Sequence, residues 1–293
     1  MTGTSGIPNV GIDAIMKRAY TATATETPPS LFGIGTGSTA FSAADTALEE
    51  PVPIRNTEAV DSCDTTAGWS AGTDSAVTLN TSSFIEGTGS LSLAKSGTSG
   101  TTASMSKTTP SLNFTAKRFC VFVKIVDLAD LKSSGVALSI RFGSDSSNYY
   151  RYDVDVSALA AGWQFISFAS GDAVVVGSPV ITACDYTFVA VFTDLAADLI
   201  AADRILFDNM ALASADDYFK AFESGYPYVD TALDQITIEG RLTSLEANGH
   251  LISESGNFNA DSPKVLWSRT TITPFSKSLS DELIIQEIVR TTR

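Results

Sequence analysis

The chain has 293 residues, enough for one large domain or two of ordinary size, and its 44% hydrophobic content suffices for real cores. A formal net charge of −14 and an isoelectric point near 4.4 repel phosphate backbones and anionic lipid, which argues against direct nucleic-acid binding. No run approaches the roughly 20 apolar residues of a membrane span, and Met1-Thr2-Gly3-Thr4-Ser5-Gly6 lacks the basic-then-apolar pattern of a signal peptide, so cytoplasmic synthesis without export is expected.

Only 18% of residues are charged, and Ser, Thr, Ala and Gly fill the remaining surface, a bias that suits short strands and tight turns. In chain order, Asn9 to Tyr20 reads as a short docking helix with Ile12, Ile15 and Met16 on one face. Pro28-Pro29 stops any helix before a strand through Phe32 and Ile34. Gly35 and Gly37 are not read as a phosphate loop, because no Lys follows at the required position and no βαβ unit surrounds them. From Asn56 onward, strands are predicted at 119–126, 136–142, 149–156, 164–168, 186–192 and 204–212 from β-branched and aromatic enrichment. Alternation in Tyr150-Arg151-Tyr152-Asp153-Val154-Asp155-Val156 marks a sheet with one buried and one wet face, and hence antiparallel pairing. An exit linker of helical spacing is expected at 215–222. Strands follow at 236–242, from Val265, and at 283–289.

The two ends read as halves of one small β-domain separated by about 160 residues of another, an arrangement tolerated when an insertion enters at a surface loop whose ends are close. The expected fold is therefore mainly β: a discontinuous small β-domain with an inserted antiparallel β-sandwich. The segments are 1–55 and 214–293 for the anchor, the second including the linker, and 56–213 for the insert.

The insert carries Asp61-Ser62-Cys63-Asp64-Thr65-Thr66-Ala67-Gly68-Trp69, Glu86-Gly87-Thr88-Gly89-Ser90-Leu91-Ser92-Leu93, Ala161-Gly162-Trp163-Gln164-Phe165-Ile166 and Ile205-Leu206-Phe207-Asp208-Asn209-Met210-Ala211-Leu212. In order and spacing these resemble the jelly-roll carbohydrate-binding modules and their non-catalytic relatives in phage structural proteins. The flanks, Phe32 to Leu48, Ala247 to Phe258 and Ser276-Lys277-Ser278-Leu279-Ser280-Asp281, resemble the virion-attachment domains of phage tail-collar fibres and related appendage proteins. Asn257 departs from that pattern, standing where an apolar residue is usual.

The resemblance implies a structural calcium between Asp64 and Asp208, with loop carbonyls near 86–90 completing an oxygen shell; the competing reading makes both residues turn or edge aspartates. A sugar site would need exposed aromatic platforms, for which Tyr149, Tyr150, Tyr152 and Trp163 qualify by type, whereas Trp69 and Trp163 each follow a Gly and read rather as core anchors. On a strand, Tyr150 and Tyr152 share one face and Tyr149 and Arg151 the other. The lone histidine, His250, reads as part of a turn, and Asp153 with Asp155 as a solvated strand face rather than a glycosidase dyad. Cys63, Cys120 and Cys184 suggest neither disulfides nor a zinc cage, and Cys120 reads as a small buried hydrophobe.

The leading expectation is a non-enzymatic virion component of a tailed phage, anchored at the tail, collar or an appendage beside other virion proteins and projecting its jelly roll. A homo-oligomer is expected, plausibly a trimer. The alternatives are a capsid decoration protein and a host-surface glycan-binding adhesin, with a polysaccharide-degrading enzyme last.

Overall fold

The computed structural model describes residues 5–6, 27–55, 58–230 and 235–290; the N-terminal segment read as a docking helix lies outside them. The structure is mainly β, and the chain divides into two compact units, one formed by Met1–Arg55 with Ala215–Arg293 and the other by Asn56–Ser214.

The Asn56–Ser214 unit is an antiparallel sandwich. One sheet runs in the order Val174–Val176, Asn148–Asp155, Val136–Asp145, Cys184–Phe192, Thr102–Leu112, Ser70–Ala71. The other runs Gly162–Ala169, Lys117–Ile125, Ile205–Ser214, Ser90–Lys95, Ser75–Asn80, with Glu58–Asp61 also on Ile205–Ser214. From Ser90 onward the chain repeatedly crosses between sheets, which is the jelly-roll pattern. Alternation explains the packing. In the 136–145 strand, Leu138, Ile140 and Phe142 enter the core, and Phe119, Val121, Val123 and Ile125 do so from the facing sheet. Phe114 lies at the centre, edge-on to Phe142 (5.4 Å), Tyr150 (5.5 Å) and Phe168 (6.0 Å), contacts that add to plain area burial.

Lys95 is fully buried, and its ammonium donates to the carbonyls of Gly97 (2.9 Å), Ala196 (2.7 Å) and Asp198 (2.7 Å). Its backbone also exchanges hydrogen bonds with Ile200, so one residue fastens the 195–200 loop to its strand.

In the discontinuous unit, Pro29–Gly35 lies between Leu251–Asn259 and Lys220–Ala221, with Leu266–Ser276 beyond Leu251–Asn259. A second sheet contains Tyr228–Asp230, Gln235–Leu242 and Leu283–Arg290. Phe32, Ile34, Val52, Ile54, Leu242 and Ile252 form the core. A Cβ at Gly240 would stand 2.5 Å from the Phe32 ring, so glycine there makes room for the largest side chain in that layer. Arg269 is buried against Glu254 (2.8 Å) and also meets Asp45 (2.8 Å). Asn257, the departure from the attachment-domain pattern, donates to Ser268 (2.7 Å) and Glu287, so a polar pair replaces apolar packing there. The 215–222 segment is a single 3-10 turn, Ala215–Tyr218, followed by the Lys220–Ala221 strand.

Candidate functional site

On the 148–155 strand the period of two sends alternate side chains to opposite faces. Tyr150 and Tyr152 turn inward: Tyr150 packs on Phe114, and Tyr152 stacks on Phe168 at 5.0 Å with ring planes 6° apart. Both are thereby withdrawn from the sugar-facing role considered for them, because the apolar interior is the better solvent for their rings. Tyr149 alone of the three lies on the outer face, where it too is buried, at 8% exposed.

That face brings together residues from three adjacent strands. Arg141 lies opposite Arg151 on one side and Phe188 on the other. Its guanidinium carbon is 4.7 Å from the Tyr149 ring centroid and 4.2 Å from that of Phe188, a double cation–π contact made by the neighbouring strands. Tyr186 lies two residues before Phe188, hence on the same face. Burial raises its phenol pKa, while the Ser106 hydrogen bond and the Arg141 charge pull the other way. Polar groups surround the aromatic cluster: Ser139 donates to Asp153 (2.7 Å), and Arg151 Nε forms an ion pair with Asp153 (3.0 Å) without hydrogen-bond alignment. Val174 at the sheet edge is 53% exposed. The arrangement sets the partly exposed rings of Phe188 and Tyr186 beside donors and acceptors, a combination that suits a sugar ring with its hydroxyls.

Trp69 belongs to the sandwich core, as its reading as an anchor requires, with Lys107 over its ring at 5.9 Å. Trp163 is half-buried and stands outside the core cluster, because it pairs with Lys124 on the side of its sheet away from the interior. The three cysteines are buried free thiols.

Asp64 and Asp208 do come close enough to influence each other. Asp208 is fully buried on the outer side of its sheet, and its carboxylate accepts from the amides of Ile85 (2.6 Å), Glu86 (3.1 Å) and Asn209 (2.8 Å). Asp64 accepts from the amides of Thr88 and Gly89. Burial first, with Asp64 adding to it, pushes the Asp208 pKa up to about 7 against the pull of those amides. Calcium requires six to eight oxygens with their lone pairs free. Here amide protons point at the carboxylates, and among the described residues no group of three or more His, Cys, Asp or Glu could hold a metal ion. These amide hydrogen bonds make Asp64 and Asp208 a latch that pins the 81–89 loop.

His250 is buried, and desolvation pushes its pKa down to about 3, so the imidazole is neutral at physiological pH. Asp155 is engaged in capping the turn at Ser157 (2.9 Å), and Asp153 is engaged with Ser139 and Arg151. These two carboxylates therefore do not flank a cleft as a hydrolytic pair must.

No protein-family model matches the chain, and no curated protein sequence does. Among solved structures, it is similar to a family 11 carbohydrate-binding module from Clostridium thermocellum in complex with a β-1,3-1,4-mixed-linked tetrasaccharide. The identity is 11%, 54% of this chain and 95% of that one are covered, and the TM-score is 0.39. A xylan-binding family 22 module from Paenibacillus barcinonensis is similar at 11% identity over 54% of this chain and 98% of its own, TM-score 0.35. An exo-β-agarase is similar at 10% identity, covering 54% of this chain and 25% of that enzyme, TM-score 0.37.

Proposed function

We propose that the 56–214 sandwich is a non-enzymatic carbohydrate-binding module, carried on a discontinuous β unit that serves for attachment. The observation that supports this most is the outer-face cluster of Tyr149, Arg141, Phe188 and Tyr186, ringed by Ser139, Asp153 and Arg151. Rings held in place by cation–π contacts need little ordering on binding, which favours recognition of a weakly apolar ligand such as a sugar. The commitments of Asp153, Asp155 and His250 to structural roles favour binding over hydrolysis.

The full chain should be retarded in affinity electrophoresis by at least one soluble polysaccharide, and Phe188→Ala should abolish the retardation while leaving the melting profile intact. If a broad polysaccharide panel gives no retardation, the proposal fails. Placement of the attachment unit in a phage particle, as a repeated homo-oligomeric component beside other virion proteins, rests on the resemblance of 32–48, 247–258 and 276–281. Immunogold labelling of particles with antibody against the sandwich would test it, and absence of label from intact particles would remove the virion setting without touching sugar binding.

A further inference from the structure

Building on the carbohydrate-binding reading, we infer that the outer-face site takes an acidic glycan, and that Arg141 is the residue that recognises a uronic-acid carboxylate. Among the described residues, Arg141 has no ion-pair partner, and its Nε is buried without a hydrogen-bond acceptor. This is unusual in a chain carrying 33 acidic against 19 basic side chains, where carboxylates are abundant. The other arginines of the sandwich have ion-pair partners, Arg118 with Asp172 (3.2 Å), Arg151 with Asp153 (3.0 Å) and Arg204 with Asp130 (2.6 Å), although the Nε of Arg151 likewise lacks an aligned acceptor.

The nearby carboxylates are engaged elsewhere. Asp153 serves Arg151 and Ser139, and Asp145 accepts from the Asn148 side chain (2.9 Å) and the Ser147 amide (2.7 Å). The cation is nonetheless held in place, because Tyr149 and Phe188 reach it from the strands on either side. Rings against a guanidinium leave its in-plane N–H edge for a partner, and that fork matches a carboxylate in two parallel hydrogen bonds. The partly exposed Phe188 ring provides stacking surface for the pyranose that carries the acid.

The test uses the full chain with polygalacturonate and alginate, each compared with its carboxyl-reduced neutral form, and dextran sulfate as a polyanion control. The inference expects at least tenfold tighter binding of an acidic polymer than of its reduced form. Arg141→Gln should erase that preference, and Arg141→Lys, which keeps charge but loses the fork, should retain only part of it. Calorimetric melting of each variant establishes that it folds. Equal affinity for acidic and reduced polymers overturns the acidic-glycan inference but leaves carbohydrate binding standing. Dextran sulfate binding as tightly as the uronates, or an Arg141→Gln variant that keeps the preference, overturns it in the same way. Binding to no polysaccharide of any kind overturns the underlying reading itself.

Discussion

Replacing Lys95 by methionine should destabilise the sandwich unit by about 3 to 5 kcal/mol, because buried backbone carbonyls lose the charged donor that satisfies them. The stem is nearly isosteric, so packing changes little, and the loss falls on three carbonyls that the ammonium now satisfies, Gly97, Ala196 and Asp198. Hydrogen bonds to charged groups contribute about 1.5 to 3 kcal/mol each, and several kcal/mol of ammonium desolvation, relieved in the mutant, offset part of their sum. For a unit of this size about 1 kcal/mol moves the melting point by roughly 2 to 4 °C, so a fall on the order of 10 °C is expected. Differential scanning calorimetry of the full chain would measure it, with hydrogen exchange at the Lys95 and Ile200 amides as a local reporter. A shift under about 3 °C with unchanged exchange at those amides would show that the carbonyls find other partners and that the reasoning is wrong.

Other consequences concern the carboxylates. Asp208 has a folded-state pKa of about 7, above the ordinary value of 3.8, so between those values the folded state binds the extra proton. Its contribution is therefore present below about pH 4 and is lost as pH rises through 7, and Asp208→Asn should flatten that part of a stability-versus-pH curve; an unchanged curve would refute the assignment. Because amide donors occupy Asp64 and Asp208, melting in calcium and in chelator should coincide, and a calcium-dependent rise of several degrees would restore a metal to this place. Arg269→Met leaves Glu254 fully buried with only the Glu49 and Glu50 amides as partners, so the discontinuous unit should lose about 3 to 5 kcal/mol in urea unfolding. A loss below about 1 kcal/mol would refute the reading that the unit depends on Arg269 to hold this buried carboxylate.

The strands of the sandwich were legible because each is a local event. The expected 149–156 and 186–192 strands are Asn148–Asp155 and Cys184–Phe192 in the structure. Alternation also sorted Tyr149 from Tyr150 and Tyr152, but it could not say which set faces inward. That choice is made by Phe114 and Phe168, which arrive from other strands. Arg141 drew no notice in the sequence because its significance lies in Phe188, 47 positions away in the chain and directly opposite across the sheet. Lys95 was equally silent, since two of its acceptors lie 101 and 103 residues later. An isolated lysine ending an otherwise apolar and serine strand, Ser90 to Ala94, was the only available hint.

The interrupted unit also sets an order of events during synthesis. Apart from the short Pro51–Val52 strand, every sheet partner of Pro29–Gly35 lies beyond Ser214. The sandwich draws its sheet pairings from within 58–214, its first strand Glu58–Asp61 closing on its last, Ile205–Ser214. On the ribosome the insert can therefore complete itself while Pro29–Gly35 still waits for neighbours, and folding by whole units favours that sequence. A polypeptide cut short anywhere between the end of the sandwich and residue 251 would carry a finished sandwich on a unit that lacks the Leu251–Asn259 partner of Pro29–Gly35 and cannot close. Closure of the discontinuous unit then reports that translation has gone through to the strands that complete it.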